Sequence, residues 1–179
     1  MKDQIIMHCK EFDPNKAEFD LTPGITGKPA KAMWSSTMED PLIETGWLEW
    51  SYYEDFFVDG HKSVFKVVPK KDVKVLTINS KDDIDKYLPL IENRFQQIYF
   101  DYTKLAKEYD GINFTLGAIS LGKTSYPGFG IPMWLYMTLN ALDCESTVWF
   151  NNKWIESYTY IGEIKDIFKK EWKRIYTAL

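Results

Sequence analysis

Gly117-Ala118-Ile119-Ser120-Leu121-Gly122-Lys123-Thr124, "GAISLGKT", fits the pattern G-x-x-x-x-G-K-[ST] letter for letter. Its reading separates a strand–loop–helix unit from a plain strand-to-loop transition. The pattern binds phosphate only where a tight loop runs into a helix whose first amides and dipole hold the anion. Such a helix would have to begin near Gly122. The next residues are "SYPGFGIPMW", with Pro127, Gly128, Gly130 and Pro132, a poor start for any helix. Only 55 residues lie beyond Thr124, and "NALDCE" is a weak imitation of a strand ending in a Mg²⁺-ordering Asp. A phosphate loop, and with it a nucleotide hydrolase or kinase, is rejected. "INFTLGAIS" is then expected as a strand and "LGKTSYPGFGIP" as a loop.

Working outward, the remaining segments alternate little between strand and helix. "QIIMHCKEF" reads as a short buried strand, "DPNKAEFDLTPGITGKP" as loop, and "AKAMWSST" as a second strand ending in hydroxyls. "LIETGWLEWSYYEDFF" sets Trp47, Trp50 and Phe57 within one helical face. "HKSVFKVVP" and "DVKVLTINS" alternate as strands. Ser80, with Asp83 three residues on, opens a helix over "SKDDIDKYLPLIENRF" as a capping box, and Pro89 should kink or shorten it. "DYTKLAKEYDG" has helical spacing up to Gly111, so a helical insertion is expected over about 80–110. "MWLYMTLNAL" is ambiguous, and "ESTVWFN" is a strong strand. Ile161, Ile164, Phe168, Trp172, Ile175 and Leu179 form one stripe of an amphipathic C-terminal helix. These elements predict a single α+β domain over 1–179.

The chain has 179 residues, 16% of them aromatic with seven Trp, enough for one substantial core. Its net charge of −4 argues against generic binding to nucleic-acid backbones. Two cysteines and two histidines, Cys9, Cys144, His8 and His61, give neither a disulfide framework nor a zinc site, and no metal is expected. "MKDQIIMHCKEF" lacks the long apolar run of a signal peptide, and no segment approaches the ~20 apolar residues of a membrane span. A reduced, cytoplasmic setting away from membranes is the expectation.

Three places carry candidate chemistry. His8 sits among apolar residues of the first strand, where a buried structural role is the commoner fate. "MWSST" combines an aromatic with three hydroxyls. In "LDCES", Asp143 and Glu145 stand two apart, a spacing that puts both carboxylates on one strand face. Taken in order, this set resembles the ADP-ribosyltransferase-like family. "GKPAKAMWSST…GWLEW", "EYDGI" and "DCESTVWFN" are similar to small bacterial and phage proteins of that group, over roughly residues 5–152. The resemblance implies split, mostly antiparallel sheets around an NAD cleft with flanking helices. It makes Glu145 the catalytic acid with Asp143 upstream of it. It implies His8 on the NAD ribose, Trp34 against nicotinamide, and Ser35 and Ser36 bracing carboxylate or ribose. The loop holding Tyr126 and Phe129 would face the protein or nucleic-acid acceptor. Trp34 stands where the family's His branch has Tyr, and Ser36 and Asp143 are 107 residues apart, more than in compact toxins.

Cleavage of the nicotinamide–ribose bond passes through an oxocarbenium-like state, which a nearby carboxylate stabilises. NAD is thus the expected co-substrate of a transferase. A non-catalytic interaction or inhibitor protein of phage type is the second expectation, and NAD hydrolysis without a macromolecular acceptor the third.

Overall fold

The computed structural model describes residues 1–8, 11–24, 27–54, 63–92, 98–124 and 131–177. In chain order its strands and helices are β1 (Gln4–His8), β2 (Asp20–Pro23), β3 (Pro29–Lys31), β4 (Met33–Thr37), α1 (Gly46–Tyr53), β5 (Ser63–Pro69), β6 (Val75–Ile78), α2 (Lys81–Tyr87), β7 (Leu90–Glu92), β8 (Ile98–Phe100), α3 (Tyr102–Leu105), β9 (Gly111–Phe114), α4 (Leu116–Thr124), α5 (Met133–Asn140), β10 (Ser146–Trp149), β11 (Ile155–Glu163) and α6 (Ile164–Thr177). The chain is α+β, as its segment pattern predicts.

Seven strands form one mixed sheet in the order β11-β5-β1-β4-β10-β9-β6. Within it β6 and β9 run parallel, and every other neighbouring pair is antiparallel. The expectation of split sheets needs correction, because β1 joins the two halves to each other. That join is narrow. Gln4 pairs with Thr37 and Ile5 with Ser36, and the register extends no further.

Strand alternation sorts the core. Ile112, Phe114, Val148, Leu76 and Ile78 face α4 and α5, while Ile5 and Val64 face Leu48 of α1 and Phe168 of α6. On the other face, Ile6, Phe65, Val67, Met33 and Trp149 pack under Phe12 and Trp154. β10 reads "STVW" and is buried on both faces, which explains its β-branched and aromatic content.

Several local expectations are met by identifiable bonds. Ser80 Oγ accepts from the Asp83 amide while Asp83 accepts from the Ser80 amide, a complete capping box for α2. Pro89 lies just past the end of that helix, and the chain continues into the antiparallel β7–β8 ribbon. The span 80–110 is therefore only partly helical. The C-terminal helix begins at Ile164, not at Ile161, because the preceding residues extend β11.

The largest correction falls on GAISLGKT. The strand stops at Phe114, and Leu116–Thr124 is helix throughout. The phosphate cradle fails for a different reason from the one the prolines suggest: its glycines lie inside a helix, not ahead of one. A Cβ on Gly117 would come 2.7 Å from the Asn79 carbonyl oxygen. On Gly122 it would meet the Asn140 amide nitrogen and Leu139 Cβ of α5, each at 2.8 Å. Lys123 donates to the Asp143 carbonyl and Thr124 to the Ser120 carbonyl. The two glycines thus serve close packing, while Lys123 and Thr124 are exposed and bond to backbone carbonyls. Gly122→Ala should cost about 1–3 kcal/mol by overpacking the α4–α5 contact. Thermal denaturation would register a fall of roughly 2–12 °C.

Candidate functional site

The order β4-β10-β9 sets three polar side chains beside one carboxylate. Thr147 of β10 stands between Ser35 of β4 and Asn113 of β9 in register. Glu145 lies one step before β10, on the same face as Thr147 and Thr37. Its carboxylate accepts from the Thr37 amide at 2.9 Å and the Thr37 hydroxyl at 3.1 Å. Asn113 Nδ2 also donates to it, and to Thr147 Oγ1 at 2.9 Å. Three donors from two strands fix both oxygens, a charge-assisted arrangement that holds one rotamer.

Glu145 opens onto a cleft of about 720 Å³. Six carboxylates line it (Glu39, Glu44, Glu49, Glu54, Asp143 and Glu145), with Lys2 as the one lining cation among the described residues. Lys2 pairs with Glu39 at 2.9 Å. Tyr53 and Trp50 of α1 add aromatic surface, Tyr53 being 64% exposed. A smaller groove of about 350 Å³, floored by Val73 and Val75, shares Lys2, Thr37 and Asn113 with the cleft.

The residues expected from the sequence divide between two places. Asp143 is exposed and lines the acidic cleft with Glu145. Ser36 Oγ donates to the Glu145 backbone carbonyl at 2.7 Å and accepts from the Trp47 amide at 3.1 Å. It thereby ties the start of α1 to the carboxylate's backbone. Ser35 is buried, with 1% of its surface exposed, and reaches Gln4 and Trp149, not Glu145. Trp34 lies on the helix-covered face of the sheet, opposite to that of the Glu145 carboxylate.

A second cleft of about 710 Å³ is lined by Ile6, Phe12, Met33 and Trp34, where β1 and β4 part. The backbone of His8 lies four residues, about 13 Å of strand, beyond Gln4. Trp34 thus lies away from the Glu145 carboxylate. Tyr126 and Phe129 fall outside the described residues.

Lys28 lies with its Nζ 5.4 Å from the Trp34 ring centroid, and burial lowers its pKa against the opposing pull of Asp143. Cys144 is a free, buried thiol. Burial first, and then the Glu145 carboxylate, push its pKa up to about 12, which disfavours the thiolate.

Thr37, Asn113 and Lys2 complete the site, and no sequence motif singles them out. Thr37 is the last hydroxyl of "WSST"; Asn113 gains meaning only from the pairing of β9 with β10. Among the described residues, no group of three or more His, Cys, Asp or Glu is placed to hold a metal ion. No described helix is long and apolar enough to cross a membrane. Comparison with family models, curated proteins and solved structures gave no match.

Proposed function

We propose that this protein cleaves the nicotinamide–ribose bond of NAD⁺ at Glu145 and transfers the ADP-ribosyl group to a macromolecular acceptor. The observation that carries this reading is the Glu145 carboxylate, fixed by Thr37 and Asn113 at the wall of an open cleft.

In this reaction nicotinamide departs with the electron pair of its bond to C1′. Positive charge develops on the ribosyl C1′ and ring oxygen, and a preorganised anion lowers the energy of that state. The acceptor's lone pair then forms the new bond to C1′, and its proton passes to Asp143 or solvent. The acidic lining suits the cationic nicotinamide end of NAD⁺. The cleft volume lies within the range of small-molecule sites.

Incubating the protein with NAD⁺ and a lysate, and following both nicotinamide release and label transfer, tests the proposal. Transfer of label to macromolecules is the expected result. Release without transfer would make the protein an NAD glycohydrolase. Neither release nor transfer, with no NAD⁺-induced rise in Tm, would sink the enzyme reading.

The six lining carboxylates favour one second reading, a binding protein whose acidic cleft takes a cationic segment of a partner. Capture of a basic peptide that weakens steeply with salt, without NAD⁺ chemistry, would select it.

A further inference from the structure

A chain of hydrogen bonds, buried at its core end and half-buried at its outer end, runs from Trp149 to Glu145 across the β1–β4 join. Trp149 Nε1 donates to Ser35 Oγ at 2.7 Å, and Ser35 Oγ donates to Gln4 Oε1 at 2.7 Å. Gln4 Nε2 reaches Thr37 Oγ1 at 3.5 Å, and Thr37 Oγ1 donates to Glu145 at 3.1 Å. Trp149 and Gln4 are 0% exposed and Ser35 1%, so bulk water does not compete for these groups.

The direction at both ends of the chain is forced by chemistry, since an indole N–H only donates and a carboxylate only accepts. An indole N–H can only donate, so Ser35 oxygen accepts and its single proton must go elsewhere. The Gln4 carbonyl oxygen takes it. That leaves the two Gln4 N–H bonds shared among three acceptors, the Lys2 carbonyl at 3.3 Å, the Asp3 carbonyl at 3.4 Å and Thr37 Oγ1 at 3.5 Å. Thr37 donates to the Glu145 carboxylate, which can only accept, and its oxygen is open to the shared Gln4 N–H. From this we infer that Gln4, with Ser35 and Trp149 behind it, is a positioning residue that aims the Thr37 hydroxyl at Glu145. Bonds aligned in one sense polarise one another, so a change at one end reaches the other. The inference deepens the proposed NAD⁺ reaction and rests on that reading for its catalytic meaning. The relay itself is a statement about hydrogen bonds and can be tested without turnover.

Gln4→Glu keeps the shape but offers an acceptor where Thr37 had met a donor, drawing the Thr37 proton away from Glu145. The expected result is a fall in kcat of about tenfold with KM for NAD⁺ within about twofold, a positioning defect and not a binding one. In a Thr37→Val background the same substitution should change kcat by less than about twofold, since the hydroxyl it acts through is gone. A general packing defect would instead give additive losses in both backgrounds, which would overturn the inference.

The second measurement needs no activity. The Trp149 indole N–H proton resonance, assigned by its disappearance in Trp149→Phe, should move in Thr37→Val and in Glu145→Gln. An unmoved resonance in both variants would overturn the relay, even if Gln4→Glu fails to fold. A wild-type protein that releases no nicotinamide but shows the resonance shifts would remove the NAD⁺ reading and leave the relay standing.

Discussion

Glu145→Gln is expected to lower nicotinamide release from NAD⁺ by about 10²–10³-fold, the scale seen when one preorganised charge-stabilising group is removed. Glutamine keeps the size of the side chain, and its carbonyl oxygen can still accept from Thr37. Its amide group, however, turns a donor toward Asn113 Nδ2 or Thr37, which themselves donate to the carboxylate in the wild type. The negative charge facing the cleft is lost while the strands around it stay paired. A steady-state assay of kcat, alongside far-UV and thermal melts, separates the two consequences. A variant with near wild-type kcat would remove Glu145 from the chemistry. A variant with collapsed Tm would show that the carboxylate's main work is structural.

The largest effect on stability is expected at Trp149. Its indole stacks on Trp154 with ring centroids 3.6 Å apart and planes 7° from parallel. Both rings are fully buried, in a core that includes Met33, Val67 and Phe65. Gly111 sits under the same ring: a Cβ there would approach Trp149 Cε3 to 2.9 Å. Trp149→Ala opens a void that Trp154 and Met33 cannot close without breaking the β10–β4 register. Large-to-small replacements of this kind cost about 3–5 kcal/mol. For a chain of this size that amounts to a fall in Tm of roughly 6–20 °C. Ser35 would also lose its buried donor, so the melt should be compared with Trp149→Phe, which keeps an aromatic ring and removes the N–H.

The sequence is most legible where one local rule acts alone. Ser80 and Asp83 announce α2 because a capping box needs only residues three apart. "ESTVWFN" announces β10 because a strand buried on both faces must be β-branched and aromatic. Helix α4 escapes the sequence reading because Pro127, Gly128 and Pro132 argue against helix in their vicinity. They lie beyond Thr124 in the sequence, so their helix-breaking character says nothing of Leu116–Thr124 itself. Strand β11 escapes it because its outer side chains, Tyr158 and Tyr160 among them, stay exposed, and no apolar alternation marks it.

At the site, Asp143 and Glu145 are visible as a spaced pair of acids near a strand. Thr37 is visible only as one hydroxyl of three. Gln4 and Asn113 cannot be found that way, since their partners lie 31 to 34 residues away or more, and are set by which strands become neighbours. Trp34 and Glu145 both belong to recognisable motifs. The alternation of β4 nevertheless puts them on opposite faces, a fact that depends on register.

Strand β11 has one further consequence, for life at high concentration. It is the longest described strand of the sheet, nine residues, and forms its outer border beside β5. An edge of that length invites a second molecule to continue the ladder. Its register shifts twice, between Ile155 and Ser157 and again between Tyr160 and Gly162, where Gly162 adopts φ 137°. An incoming strand would meet a row of amides and carbonyls whose rhythm breaks at both ends. Such irregularities disfavour edge-to-edge pairing, so β11 carries its own safeguard against the sheet growing into a neighbour in a crowded solution.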